Sequence, residues 1–239
     1  MKAAPRSCKS APPRSTGAER NAVSASVKLA RKPRRAERNE ATRRKLFAAA
    51  AKVVGGVGYA EASVSRITME AGVAQGTFYS HFASRQELLD RLLPAIGEDM
   101  LAFIEQRTPS GGSDQQQDVA RCEAFFAFLL VCPEYLRILN EAEFFAPVAY
   151  QDLMATIGRG YLRVLQRARR RGSLVDYSDD ELEVIVQTLL GARAYLSRRY
   201  AYAEGGVHTV PEHVISAYAK LVTHGLFRDR PQRTPSDSA

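Results

Sequence analysis

The chain has 239 residues, enough for one large or two modest domains with a buried core. Its 34 Lys plus Arg exceed 26 Asp plus Glu by +8, yet residues 1–45 alone hold 14 basic and 3 acidic residues, leaving 20 basic and 23 acidic for the other 194. The basicity belongs to an arm. No apolar run approaches the roughly 18 to 20 residues of a membrane-spanning helix, and no apolar secretory core opens the sequence, so a cytoplasmic protein without a membrane partner is expected. Cys8, Cys122 and Cys132 lack C-x-x-C spacing, and His81, His208, His213 and His224 form no ligand pattern beside them. Neither a disulfide framework, a metal site nor a cofactor is expected.

In chain order, residues 1–38 are rich in Ala, Ser, Arg, Lys and Pro, too polar to offset their ordering entropy, and are expected to be a disordered basic arm. Three meanings fit it: a solvated tail, an arm on DNA phosphates, or an organelle transit peptide. From Thr42 a helical period begins, with Leu46, Phe47, Ala50, Ala51, Val53 and Val54, and Gly55-Gly56 is its expected stop. Ser63 then caps a two-turn helix carrying Val64, Ile67 and Ala71, with Gly72 at its end. A short segment, 74–79, follows. Ser84 and Glu87 read as a capping box opening a helix through Leu88, Leu89, Leu92 and Leu93, with a kink expected at Pro94. Helices are expected over 118–132, 134–144, 148–171, 179–203 and 211–227. The fold class is all-α, with about nine helices and no period-two stretch long enough for a sheet.

The stretch 63–82, SVSRITMEAGVAQGTFYSHF, carries the strongest signal. Two short helices joined by a glycine turn are the mark of a helix-turn-helix. Val64, Ile67, Ala71, Val73, Phe78 and Phe82 fit its small core, leaving Gln75, Thr77, Tyr79, Ser80 and His81 as groups sized to reach base edges or phosphates. Tyr79 and His81 can equally pack, and His81 is not expected to bind metal. Residues 42–93, with Gly72-Val73-Ala74-Gln75-Gly76-Thr77-Phe78-Tyr79-Ser80-His81-Phe82 at their centre, resemble the DNA-binding domain of the TetR family of bacterial transcription regulators. The resemblance implies that Ser63 caps its helix and touches phosphate, that Ser65 lies at a base or backbone contact, and that Gln75, Gly76 and Thr77 open the recognition helix. It implies phosphate contacts for Tyr79, His81 and Arg85, and a groove-facing Ser80. The usual Ser or Thr cap of that helix is Ala74 here. Residues 46–93 carry four basic and four acidic side chains, so attraction to DNA must come from helix N-termini, from Arg43, Arg44 and Lys45, and from the arm.

One short recognition helix reads few base pairs, so a homodimer on a double-stranded operator is expected. Leu182, Ile185, Val186, Leu189, Leu190 and Tyr195 offer one apolar surface for it and Val214, Tyr218, Leu221 and Val222 another. The family resemblance implies a four-helix interface from two such pairs, and burial inside one subunit is the alternative. Eight of the chain's 20 aromatics fall within residues 125–161: Phe125, Phe126, Phe128, Tyr135, Phe144, Phe145, Tyr150 and Tyr161. They fit an ordinary core or a cavity for a small apolar or aromatic effector, with Glu141, Glu143 and Gln187 as polar anchors. The resemblance implies that such an effector moves the helix around Pro94 and releases the DNA. Arg159, Arg163, Arg167 and 169–171 read as a solvated face. The expected organisation is an arm at 1–38, a DNA-binding domain at 39–93, an effector and dimerisation domain at 94–228, and a disordered tail at 229–239. No catalytic set of nucleophile and base, metal ligands or phosphate loop occurs, which disfavours an enzyme. A ligand-responsive repressor is the function expected, a regulator governed by a protein partner or by expression level the alternative.

Overall fold

The computed structural model describes residues 35–174, 177–203 and 206–225. The chain divides between Arg38 and Asn39 into two units. The arm up to residue 34 and the tail at 229–239, like Cys8 and Phe227, fall outside the described residues, whereas residues 35–38, expected to be disordered with the arm, are helical.

Helix α1 (Arg35–Val57) begins before the expected residue 42, because no breaker follows Pro33 and Glu37 in the first turn complements the positive helix start. It also runs through Gly55-Gly56 and stops only at Gly58, whose φ of +86° a side chain would resist. Gly55 has a packing role instead: a Cβ there would lie 2.6 Å from Glu134 Cβ, a closeness only glycine permits. Leu46, Ala49, Ala50, Ala51 and Val54 form the buried stripe of α1.

Against that stripe lie α2 (Val64–Ala71), α3 (Gln75–Tyr79) and the start of α4 (Arg85–Arg107). Ile67, Phe78, Phe82, Leu88 and Leu89 are at most 1% exposed and close a small core. Phe82 takes the edge of Phe47 at 5.4 Å and lies 5.6 Å from Phe78. Burying each such side chain stabilises the fold by about 1.5–3 kcal/mol. Helix α4 continues through Pro94, so the expected boundary at residue 93 falls inside one helix. At Gly97 a Cβ would meet Leu153 Cδ1 at 2.5 Å, so α4 reaches the long α7 where no larger residue fits.

The remaining helices are α5 (Asp114–Val131), α6 (Tyr135–Phe145), α7 (Pro147–Arg170), α8 (Asp179–Leu196) and α9 (Glu212–His224). Helix α4 packs on α5, α6 and α7, α7 on α8, and α5 on α9. Helix α5 starts at Asp114 rather than 118, because Ser113 and Gln116 exchange capping bonds with each other's backbone N–H. Pro147 occupies the first turn of α7, where its missing N–H is harmless. Helix α8 stops before the expected residue 203: a π-helical turn, Ser197–Ala201, and a two-residue antiparallel ladder, Tyr202–Ala203 with Gly206–Val207, follow it. Buried Ser197 donates its hydroxyl to the Arg193 carbonyl at 2.7 Å, a local bond that competes with the regular helix ladder. Nine α-helices and this short ladder make up the described residues, an all-α fold.

One polar network lies inside the second half. Arg193 of α8 donates from Nη2 to Asp118 of α5 at 3.0 Å, and both side chains are buried. Tyr161 of α7 and Tyr218 of α9 each accept from Arg193, at 2.9 and 2.7 Å, and donate to the Asp118 carboxylate. Burial first, with the Asp118 charge adding to it, pushes both phenols up, so they stay protonated donors. The two hydroxyls supply the additional bonds a buried ion pair needs to offset its desolvation. Four helices are tied at one point.

Candidate nucleic-acid interface

The segment 63–82 is built by local bonds before any ligand is considered. Ser63, in extended conformation, caps α2 by accepting the Arg66 N–H at 3.3 Å. Thr68 returns its hydroxyl to the Val64 carbonyl at 2.9 Å. Gly72 adopts the left-handed conformation, φ +64°, and its N–H and that of Val73 close the end of α2 on Met69 and Thr68 carbonyls. The turn then aims α3 across α2. Ala74 occupies the cap position of α3 in extended conformation with no side-chain acceptor, as its sequence requires.

Phe78 points inward from α3, and Gln75, Gly76, Tyr79 and Ser80 are exposed on its other side. Tyr79 is 58% exposed, with its ring edge-on to Phe78 at 5.3 Å. Thr77 and His81 are half-buried. Ser80 Oγ donates to the Thr77 carbonyl at 2.7 Å. Ser63 and Ser65 are exposed at the start of α2, and Arg66, outside the expected set, is exposed beside them. On α1, Lys45 is exposed, Arg44 pairs with Glu40 at 3.2 Å, and half-buried Arg43 lies over the Phe47 ring at 5.5 Å.

Arg85 requires a correction. It does not extend toward a phosphate: Nε donates to the Ala62 carbonyl at 2.6 Å, and Nη2 to those of Tyr59 and Ala60. Its guanidinium satisfies the carbonyls of the loop between α1 and α2, which have no helical partner.

The residues expected to line an effector cavity do not gather into one. Phe126 and Tyr135 are buried and Phe125 half-buried in a packed aromatic group, with Tyr135 edge-on to Phe125 at 6.5 Å and to Phe128 at 5.6 Å. Tyr150 is half-buried, Phe144 is 80% exposed, and Gln187 and Glu143 lie on the surface. Glu141 is a joint rather than an anchor: it accepts the Tyr59 N–H at 2.7 Å and pairs with Arg137 at 2.7 Å. Partial burial opposes its ionisation, but Arg137 and the Tyr59 N–H prevail and hold the carboxyl below its ordinary range. Arg137 also donates to the Gly55 and Gly56 carbonyls at 3.0 and 2.8 Å, and Phe145 stacks on Tyr59 at 5.8 Å. Helix α6 thus grips the end of α1. The run Gly55-Gly56-Val57-Gly58 was the sequence signal for this close approach. Two cavities, of about 630 and 440 Å³, lie instead along α7 among its arginines.

The expected dimer residues divide. Leu182, Val186, Val214 and Tyr218 are at most 4% exposed and face their own subunit's interior, so they cannot meet a partner. Alternation along each helix put them on the inner stripe. Tyr195 (66% exposed) and Leu221 (46%) face outward with Val184 (66%), while Ile185, Leu189, Leu190 and Val222 are half-buried.

A glycine-turned helix pair with its apolar face buried and its polar face presented defines a helix-turn-helix protein. Residues 46–92 match the family model described as bacterial regulatory proteins, tetR family. The HTH-type transcriptional regulator YvdT of Bacillus subtilis is 44% identical over 57 residues, 24% of this chain and 27% of that protein. The HTH-type transcriptional activator FasR of Mycolicibacterium smegmatis is 29% identical over 116 residues, 48% of this chain and 53% of that protein. The chain thus spans about a quarter and about half of the length of these curated relatives. Among solved structures, the fatty acid degradation regulator FadR of Bacillus halodurans superposes with a TM-score of 0.67 at 17% identity, over 77% of this chain and 96% of that one. FadR of Bacillus subtilis, solved in complex with stearoyl-CoA, gives 0.65 at 18% identity, over 77% and 99%. At these identities the likeness is one of fold. No helix among the described residues is long and apolar enough to cross a membrane.

Proposed function

We propose that the protein is a homodimeric transcription regulator that binds a double-stranded operator through α2 and α3 and is a repressor released by a small effector with an apolar body. The observation that carries this reading is the outward polar face of α3, Gln75, Gly76, Tyr79 and Ser80, held on a fully buried Phe78. In this reading residues 39–93 are the reading head, with Ser63, Ser65, Thr77, His81, Arg43, Arg44 and Lys45 as further contacts and the arm adding phosphate attraction. Residues 94–228 receive the effector and dimerise through the outward faces of α8 and α9, Val184, Tyr195 and Leu221 with their half-buried neighbours. The B. subtilis FadR complex with stearoyl-CoA supports an apolar effector.

A second reading, control without a small ligand, is supported by the aromatic packing around buried Phe126, Phe128 and Tyr135. Gel-shift titration of the operator with candidate effectors separates the two. The first requires a ligand that raises both the melting temperature and the operator Kd; its absence among apolar acids and acyl thioesters favours the second. A reporter fused to the operator sets the sign of regulation, which for the relative FasR is activation by its name.

A further inference from the structure

Helix α7 carries arginines at 159, 163, 167 and 170 along one face, plus Arg169, and Arg171 follows at its end. Favourable interaction with the helix C-terminus accounts for cations in the last turn only, and Arg159 and Arg163 lie before it. Acidic partners account for two more: Arg169 pairs with Asp179 at 2.7 Å, and Arg171 forks onto Asp114. Arg163, Arg167 and Arg170 have no acidic partner among the described residues. Spaced by four and three residues, they repel one another along the helix, which offsets the favourable interaction of Arg167 and Arg170 with its C-terminus and leaves Arg163 with no compensating charge.

The face is concave. The cavity of about 630 Å³ lies between α5 and α7, where Asp114, Gln117 and Arg121 face Val164, Arg167 and Arg171. Arg167 also borders the cavity of about 440 Å³, with Gly160, Arg163, Gln166 and Arg170. A Cβ on Gly160 would meet nothing within 4 Å, so no packing demands a glycine in mid-helix and its effect is to leave the second cavity open. Arg121 supplies an independent observation: Nη2 donates to Gln117 Oε1 at 3.2 Å, but Nη1 is buried with no partner. A buried guanidinium N–H without an acceptor is uncommon and asks for one. The carboxylate present, Asp114, is already held by Arg171 and stays ionised below its usual range through that bond.

We propose that this α5–α7 groove is a binding site for a small organic di- or polyphosphate, nucleoside diphosphate in class, with Arg121, Arg163, Arg167 and Arg170 as its phosphate-binding groups. Arginine forks match phosphate oxygens, and the span from Arg163 to Arg170, about 10 Å of helix, exceeds what one phosphate can bridge. The cavity volume is that of a small-molecule site rather than of a duplex contact. The site stands apart from the DNA-binding reading and from the apolar effector.

The test is calorimetric titration of the full chain with ADP, with orthophosphate as comparison and Arg159→Gln, outside both cavity linings, as control. ADP is expected to bind saturably and more tightly than orthophosphate. The Arg163→Gln/Arg167→Gln double variant should lose at least about tenfold in affinity, while Arg159→Gln stays within about twofold. Without ligand the double variant should melt no lower than the wild type, since like charges are removed. Absence of saturable heat with ADP, equal affinity in the double variant, or orthophosphate binding as tightly as ADP overturns the proposal. So does a double variant that loses only affinity for scrambled duplex DNA, which would give the strip to nucleic acid.

Discussion

The Glu141 carboxylate of α6 accepts the backbone N–H of Tyr59 at 2.7 Å and so joins the helical body to the loop that follows α1. Arg137 completes the joint on the Gly55 and Gly56 carbonyls. Both ends of the contact are polar groups that the helix geometry leaves unsatisfied, which makes the joint a defined bond set rather than a diffuse apolar contact. Any change in the tilt of α6 must either carry the end of α1 with it or break these bonds.

Glu141→Gln keeps an acceptor for Tyr59 but loses the charge facing Arg137. Stability at neutral pH should fall by about 0.5–1 kcal/mol, a drop of about 1–4 °C in Tm. The wild-type carboxyl is held below its ordinary value of 4.5, so its contribution is present above about that pH and is lost as pH falls through the lowered folded value. Urea titrations at neutral pH and at successively lower pH should therefore show the wild type and variant differing at the first, with the difference shrinking as the carboxyl protonates below 4.5.

Ala74→Ser should stabilise the protein. The backbone at Ala74, φ −70° and ψ 151°, already has the cap conformation, so a serine hydroxyl gains a bond to the start of α3 without rearrangement. The expected gain is about 1 kcal/mol, or about 2–4 °C in Tm by scanning calorimetry.

Asp118→Asn leaves Arg193 buried beside a neutral group, and should cost about 3–5 kcal/mol. Tyr218→Phe removes one hydroxyl that links both ions and should cost about 1–3 kcal/mol. Denaturant midpoints measure both. A fall of less than about 0.5 kcal/mol for Asp118→Asn would mean that the ion pair does not hold α5 to α8.

Tyr195→Asp places a charge on the outward face of α8 while leaving the subunit core untouched. Sedimentation should show a dimer for the wild type and a monomer for the variant, with melting of the monomer still cooperative. Leu182→Ala, by contrast, should cost about 2–5 kcal/mol in stability because that side chain is wholly buried within one subunit.

Much of this was legible in the sequence. The glycine turn at Gly72, the uncapped Ala74 and the capping roles of Ser63 and Ser84 rest on local backbone chemistry, which neighbouring residues determine. Nonlocal partners were not legible. Arg85 has the spacing of a phosphate contact, yet the loop carbonyls it serves lie more than twenty residues earlier. Tyr161 and Tyr218 belong to apolar stripes by period, but their hydroxyls meet an Asp–Arg pair from two other helices. Periodicity reports that a helix has an inner face; it does not say whether the inner face meets its own subunit or another, and Leu182 and Val214 were misplaced for that reason.

The most direct test of sequence-specific DNA binding through α3 is sequencing of genomic fragments retained by the purified full chain, compared with fragments retained by a Gln75→Ala/Tyr79→Ala variant. Both side chains are exposed, so the variant should fold with unchanged Tm. The wild type should enrich an inverted repeat with half-sites about one helical turn, roughly 34–36 Å, apart, and the variant should bind it about tenfold or more weakly. Enrichment of no common sequence, or equal retention of the same repeat by the variant, would contradict the assignment of α3 as the recognition helix.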